Sequence, residues 1–148
     1  MRVYKEGKPF WDPSGDRLRD WMGIDKTLFY NRDLVSILPI AFCFPGYNAS
    51  GSDLPPPPIC WKTWHEEVLD LMGEPGLRLL IGKYAIERHL GVKGKLTEIV
   101  QNWRAYAPET FVLPHPSWRN NAWLAQNTWF ENDLLPELRQ AVDAQLHA

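Results

Sequence analysis

Three short, almost wholly apolar runs alternate with helical patterns along this chain, and that alternation limits its fold more than any other feature. The runs are "LVSILPIAFCF" (Leu34 to Phe44), "LRLLIG" (Leu77 to Gly82) and the segment Phe111 to Leu113. Runs so short and apolar suit strands buried on both faces. Between them lie helical patterns: Cys60 to Met72, with Trp64, Val68, Leu71 and Met72 on one side; "KYAIERHLG", closed by Gly91; and Leu96 to Tyr106. A loop from Asp12 feeds a helix with Ser14 as its N-cap, an apolar face of Leu18, Trp21 and Met22, and Gly23 as its stop. A last helix is predicted from Thr128 to Leu146. Strands alternating with helices are the βαβ grammar of a parallel sheet covered on both faces. The sequence therefore predicts one α/β domain over 1–148, three-layer α/β/α with a short central parallel sheet. Pro39 interrupts the first run and predicts that its ladder breaks there. The chain opens on "EGKPFWDPSG", a loop of the kind that parallel folds place after a strand, which predicts a domain lacking its N-terminal strand.

Composition removes several classes of function. A net charge of −2 argues against a protein that coats nucleic acid by charge alone, although a local grip on a few phosphates stays open. No apolar run reaches the length of a membrane span, and the first residues lack the apolar core of a signal peptide. A cytoplasmic, monomeric protein without a membrane partner is expected. The loop "PGYNASGSDLPPPPI" is rich in Pro, Gly and Ser, and no internal repeat is present. Neither a G-x-S-x-G elbow nor a P-loop supports another hydrolytic α/β enzyme. Eight Trp in 148 residues are read mainly as packing residues.

The stretch with the most chemistry is "FVLPHPSWRNNAWL", Phe111 to Leu124. Pro114 and Pro116 each lock a φ angle and bias the preceding residue to extended geometry, so His115 is held. Ser117 is placed to cap a helix that begins near Trp118, and Arg119, Asn120 and Asn121 add donors suited to phosphate or base edges. Two readings of these residues stand side by side: a strand-to-helix turn with a satisfied histidine, or a site.

"HPSWRN" resembles the second catalytic motif of the uracil-DNA glycosylase superfamily, in its H-P-S-P-R-N version. "EGKPFWDPSGDRLRDWMG", "SILPIAFCFPG" and "LLIGKYAIERHLG" resemble further segments of that superfamily in order and spacing, so the resemblance runs from about residue 6 to 140. It is closest to a bacterial glycosylase-like group related to the iron–sulfur family 4 enzymes. The resemblance implies excision of a deaminated base such as uracil from DNA, a reaction that starts by turning the nucleotide out of the duplex. It implies that His115 donates to the oxygen of the departing base and that Phe10 of "GKPF" stacks on that base. A core position is the other reading of Phe10. Ser117 would meet a flanking phosphate, with Pro116, Arg119 and Asn120 beside it and Ser14 and Gly15 in the small-residue turn of the substrate face. Trp118 stands where the family has a second Pro, either wedged into the base stack or packed. Cys43 and Cys60 resemble two of the four cysteines that hold a [4Fe–4S] cluster in the family 4 enzymes; the alternative is two buried thiols. The family's first motif, which positions the water, has no counterpart; Glu6 and Asp12 are the nearest carboxylates. Pro39 stands about where better-known members read uracil with an Asn. A catalytically silent relative that binds DNA or a partner is the second reading of the whole.

Overall fold

The computed structural model describes residues 7–42 and 44–148. They form two compact units, one of residues 7–35 with 76–148 and one of the described residues of 36–75. The larger unit is built around two parallel strands, β1 (Arg78–Ile81) and β2 (Thr110–Leu113), paired in the register Arg78↔Thr110 to Ile81↔Leu113. Parallel neighbours need a long crossover, and the chain supplies one with α4 (Lys83–Leu90) and α5 (Leu96–Gln101). Gly91 closes α4 with a left-handed φ of 68°. The helix α4 packs against β1, and α5 against β2. The structure is thus a mixed helix-and-strand fold around a small parallel sheet.

The rest of the core comes from the two ends of the unit. Helix α1 (Pro13–Met22) buries Leu18, Trp21 and Met22. A short helix, α2 (Lys26–Phe29), buries Phe29. Helix α6 (Asn121–Gln126) leads to a wide turn at Phe130–Leu134 and then to α7 (Leu135–Leu146), against which α1 packs. Phe130 is fully buried, with the Trp21 ring edge-on at 4.9 Å. The packing of α1 on α7 is reinforced by Arg139, whose Nη2 donates to the Asp20 carbonyl at 3.0 Å across the α1 C-terminus. Among the described residues no helix is long and apolar enough to cross a membrane.

Helix α3 (Pro58–Met72) dominates the smaller unit. Two expectations fail here. The described residues of Leu34–Phe44 form no strand. Pro39 has no amide to give a ladder, and its carbonyl is taken instead by His65 Nε2 at 2.9 Å. Leu34, Phe42 and Phe44 are substantially exposed, so the run is not sheet interior. The expected apolar side of α3 is likewise not its buried side: Trp64 is 54% exposed and Leu71 82%, whereas His65 is fully buried. The buried side of α3 is thus centred on His65, one residue along from Trp64 of the apolar stripe. The second half of the expected helix from Leu96 to Tyr106 is a tighter turn at Trp103–Ala105, with Trp103 stacked on Phe111 at 5.7 Å.

Phe130→Ala removes a ring from the seam between α1 and α7. It is expected to lower unfolding free energy by about 3–5 kcal/mol, measured by urea denaturation; a decrease well below 1 kcal/mol would show that this seam is not part of the cooperative core.

Candidate active site

The strand β2 ends at Leu113 and delivers the chain into Pro114-His115-Pro116. Both prolines are fully buried and His115 is exposed. Two anchored rings thus present one imidazole at the carboxyl edge of a parallel sheet, where open α/β folds bind their ligands. Gly82, which ends β1 with φ 84°, lies alongside: a Cβ built there would sit 3.8 Å from His115 Cβ. Asn120 Nδ2 donates to the His115 carbonyl at 2.7 Å and fixes the backbone of the turn. Ser117 caps the short turn Trp118–Asn120, its Oγ accepting from the Arg119 amide at 3.3 Å. Trp118 is 72% exposed and Arg119 is exposed, the guanidinium 5.9 Å from the indole centroid. Packing is therefore not what Trp118 does.

Phe10 reaches the same place from the N-terminal side. Its ring centroid lies 6.2 Å from that of His115, the planes 31° apart, and 6.4 Å from Phe29. That spacing is within the range of aromatic pairs. Phe10 is half-buried and has a φ of 59°, a left-handed conformation rare for a bulky residue. Three groups hold it there. The buried Arg19 donates through Nη1 to the Phe10 carbonyl at 3.0 Å and through Nη2 to Asp16 at 2.7 Å. Tyr30 donates its hydroxyl to the Pro9 carbonyl at 2.8 Å. Gly15 is buried under the loop: a Cβ there would collide with the Phe10 carbonyl. The Arg19 hydrogen bond holds the Asp16 carboxyl below the usual carboxylate range, and burial pushes the Tyr30 phenol up. Tyr30 therefore keeps its donor proton beyond the pH at which an ordinary tyrosine ionises.

A third strap joins the two loops. Arg17 Nη1 donates to the Ser117 carbonyl at 3.2 Å, and Nη2 to Asn121 Oδ1 at 2.7 Å. Helix α1 thus orients both the Phe10 loop and the His115 turn. Phe10, Gly15, His115, Pro116, Ser117 and Asn120 are brought together as a group, with Trp118 and Arg119 at its open edge. Ser14 is not the N-cap of α1: Asp12 is, its Oδ1 accepting from the Gly15 amide at 3.1 Å, and Ser14 lies half-buried in the first turn. The sequence did carry a signal for this, since Asp followed directly by Pro is a common helix start. Arg17 and Tyr30 had no comparable signal, because each binds a carbonyl that only the fold brings near, of Ser117 and Pro9; for Arg19 the i,i+3 pairing with Asp16 was visible, but not its bond to the Phe10 carbonyl.

Cys43 and Glu6 lie outside the described residues. Cys60, in the first turn of α3, is a half-buried free thiol. Among the described residues no group of three or more His, Cys, Asp or Glu is placed to hold a metal ion. A [4Fe–4S] cluster takes four thiolates; with two cysteines in the sequence, this donor set does not fit a complete cluster.

Comparison with known families gives a match to the model described as Uracil DNA glycosylase superfamily, over residues 2–139.

Gly15→Ala is expected to destabilise the protein by about 1–3 kcal/mol through overpacking and to move the Phe10 ring off His115. Thermal unfolding and the His115 ring proton shifts report on both. Unchanged values would mean that the Phe10 loop is not seated on α1.

Proposed function

Because the chain belongs to the uracil-DNA glycosylase superfamily, we propose that it hydrolyses the N-glycosidic bond of uracil, or of a related deaminated base, in DNA. Membership supports a glycosylase-type function acting on DNA. The observation that carries the finer reading is the exposed His115 held between two buried prolines beside Phe10.

In the proposed reaction a nucleotide turned out of the duplex lays its base against Phe10. As the bond from the sugar carbon to the base nitrogen breaks, its electron pair passes into the base and charge gathers on a ring carbonyl oxygen. A ring N–H of His115 donates to that oxygen. Because the imidazole is fixed before the reaction, little reorganisation opposes the donation, and such preorganised donors are the larger part of many rate enhancements. Water adds its oxygen to the sugar carbon, and the proton it gives up is taken through solvent by the departing base, leaving a neutral base and an abasic sugar. The Ser117 hydroxyl, whose oxygen already accepts from Arg119, still has its proton to donate to a flanking phosphate. Arg119 adds charge at the same edge, and the exposed Trp118 is available to fill the gap left in the base stack. Asn120 holds the His115 backbone through Nδ2 and keeps its amide oxygen for a contact to DNA. The excised base being uracil rather than another deaminated base, and the site working in a cytoplasmic monomer, belong to this proposal. Cys43 and Cys60 enter it as two thiolates of a [4Fe–4S] site that needs two further donors; no step runs through a cluster.

A catalytically silent DNA- or partner-binding domain is the second reading. Two observations favour it: the Asp12 carboxylate is engaged in capping, and Pro39 stands at the chain position where the resemblance implies a base-reading Asn, with no side-chain amide to offer.

A uracil-containing oligonucleotide incubated with the protein and then treated with alkali is expected to break at the abasic site. His115→Ala should slow excision by roughly 10²–10³-fold. Equal cleavage by the variant would overturn the assignment of His115, and no cleavage by the native chain would favour the silent domain. For the cysteines, anaerobically purified protein of this sequence is expected to be colourless and iron-free, because two thiolates do not complete a cluster; iron, sulfide and visible absorbance would show that further donors complete the site.

A further inference from the structure

One cluster next to Phe10 has no part in the reaction just described. The Trp11 indole packs on the Tyr30 ring, centroids 5.4 Å apart. The Lys8 ammonium lies 4.7 Å from the Trp11 centroid and 5.5 Å from that of Tyr30, and Lys26 Nζ lies 4.6 Å from Trp11. Two like charges are thus gathered over one ring. Both lysines are exposed and Trp11 is half-buried. Lys26 approaches Asp16 at only 3.9 Å, while that carboxylate oxygen is bonded to Arg19 at 2.7 Å. The carboxylate is thus shared between Arg19 and Lys26, with the shorter contact to Arg19. The ring holds both ammoniums by cation–π attraction, and two cations against one indole make a local positive field that favours an anion.

We propose that Lys8, Trp11 and Lys26 form a second DNA-binding surface, which takes the nucleotide adjoining the target base: its phosphate between the two ammoniums, its base on the indole. This rests on the DNA-directed reading above. The occupant follows from three features together. Two long-stemmed cations match a phosphate, an aromatic face matches any base, and Trp11 directly follows Phe10 in the chain. A strand whose target base meets Phe10 therefore brings its neighbour to Trp11. Swinging an ammonium from ring to phosphate exchanges one attraction for another and frees an indole face for stacking. Binding of this kind tolerates any base, because every base has a π-face.

The test uses a labelled single-stranded oligodeoxynucleotide of undamaged sequence, titrated by fluorescence anisotropy at several salt concentrations in a His115→Ala background. The double variant Lys8→Ala/Lys26→Ala should bind more weakly and flatten the salt dependence by about 0.7 in log–log slope, the value for one single-strand phosphate no longer neutralised. Trp11→Ala should weaken binding on the order of tenfold with the slope unchanged, and Trp11→Phe should restore most of it. An unchanged slope in the double variant, whose exposed side chains are not needed for folding, overturns the proposal. So does inorganic polyphosphate of equal length binding as tightly as the oligonucleotide, which would mean charge without stacking. If the native chain excises the base and removing both lysines leaves its DNA affinity undiminished, this second surface fails and the glycosylase reading stands. Lysine-dependent binding without any excision does the reverse.

Discussion

The geometry of the site depends on one buried cation. Arg19 is 4% exposed, yet it keeps a full charge in the interior of a small protein. An ionised group so placed is strongly disfavoured unless its donors are met and its charge is opposed. Arg19 meets both conditions with Asp16 at 2.7 Å, the Phe10 carbonyl at 3.0 Å and a long approach to the Tyr30 hydroxyl at 3.4 Å. Its guanidinium also lies 5.2 Å from the Phe29 ring. These bonds offset the left-handed φ at Phe10, which by itself is unfavourable by about 1–3 kcal/mol. The strain and the buried charge hold each other in place.

The same helix supplies the other half of the arrangement. Successive odd positions on α1 serve different loops: Gly15 lets the Phe10 backbone pass, Arg17 binds Ser117 and Asn121, and Arg19 holds Phe10. On the opposite side the sheet does the positioning, since β2 ends one residue before Pro114 and its register against β1 sets where His115 stands. The imidazole and the phenyl ring therefore come from segments about a hundred residues apart, yet neither has much freedom. Preorganisation of this kind is what a proton or hydrogen-bond donor needs in order to favour a transition state over a ground state.

Much of the larger unit was legible in the amino-acid order. "LRLLIG" and Phe111 to Leu113 are strands, Gly23 and Gly91 end helices, and Ser117 caps a turn, because each follows from local rules on burial, capping and φ. Leu34 to Phe44 misled because an apolar run shows a wish for burial without naming the partner. Pro39 warned that the ladder would break, and His65 then took its carbonyl. The outward face of α3 misled for a related reason: Trp64, Leu71 and Met72 lie exposed while His65, a polar residue, is the buried one, its Nε2 against the Pro39 carbonyl.

The sequence by itself determined the family, the parallel pairing and the clamped Pro-His-Pro, all of which rest on residue type and short spacing. It determined the chemical inventory of the site as well: an imidazole, a phenyl ring, a hydroxyl and an indole. Only the tertiary structure decided that Phe10 lies against His115, that Asp12 rather than Ser14 caps α1, and that Arg17 and Arg19 strap the loops. The physical reason is that each strap grips its loop in part through a backbone carbonyl, of Ser117 for Arg17 and of Phe10 for Arg19. Every residue has one, so no residue type in the sequence marks which carbonyl a guanidinium will find.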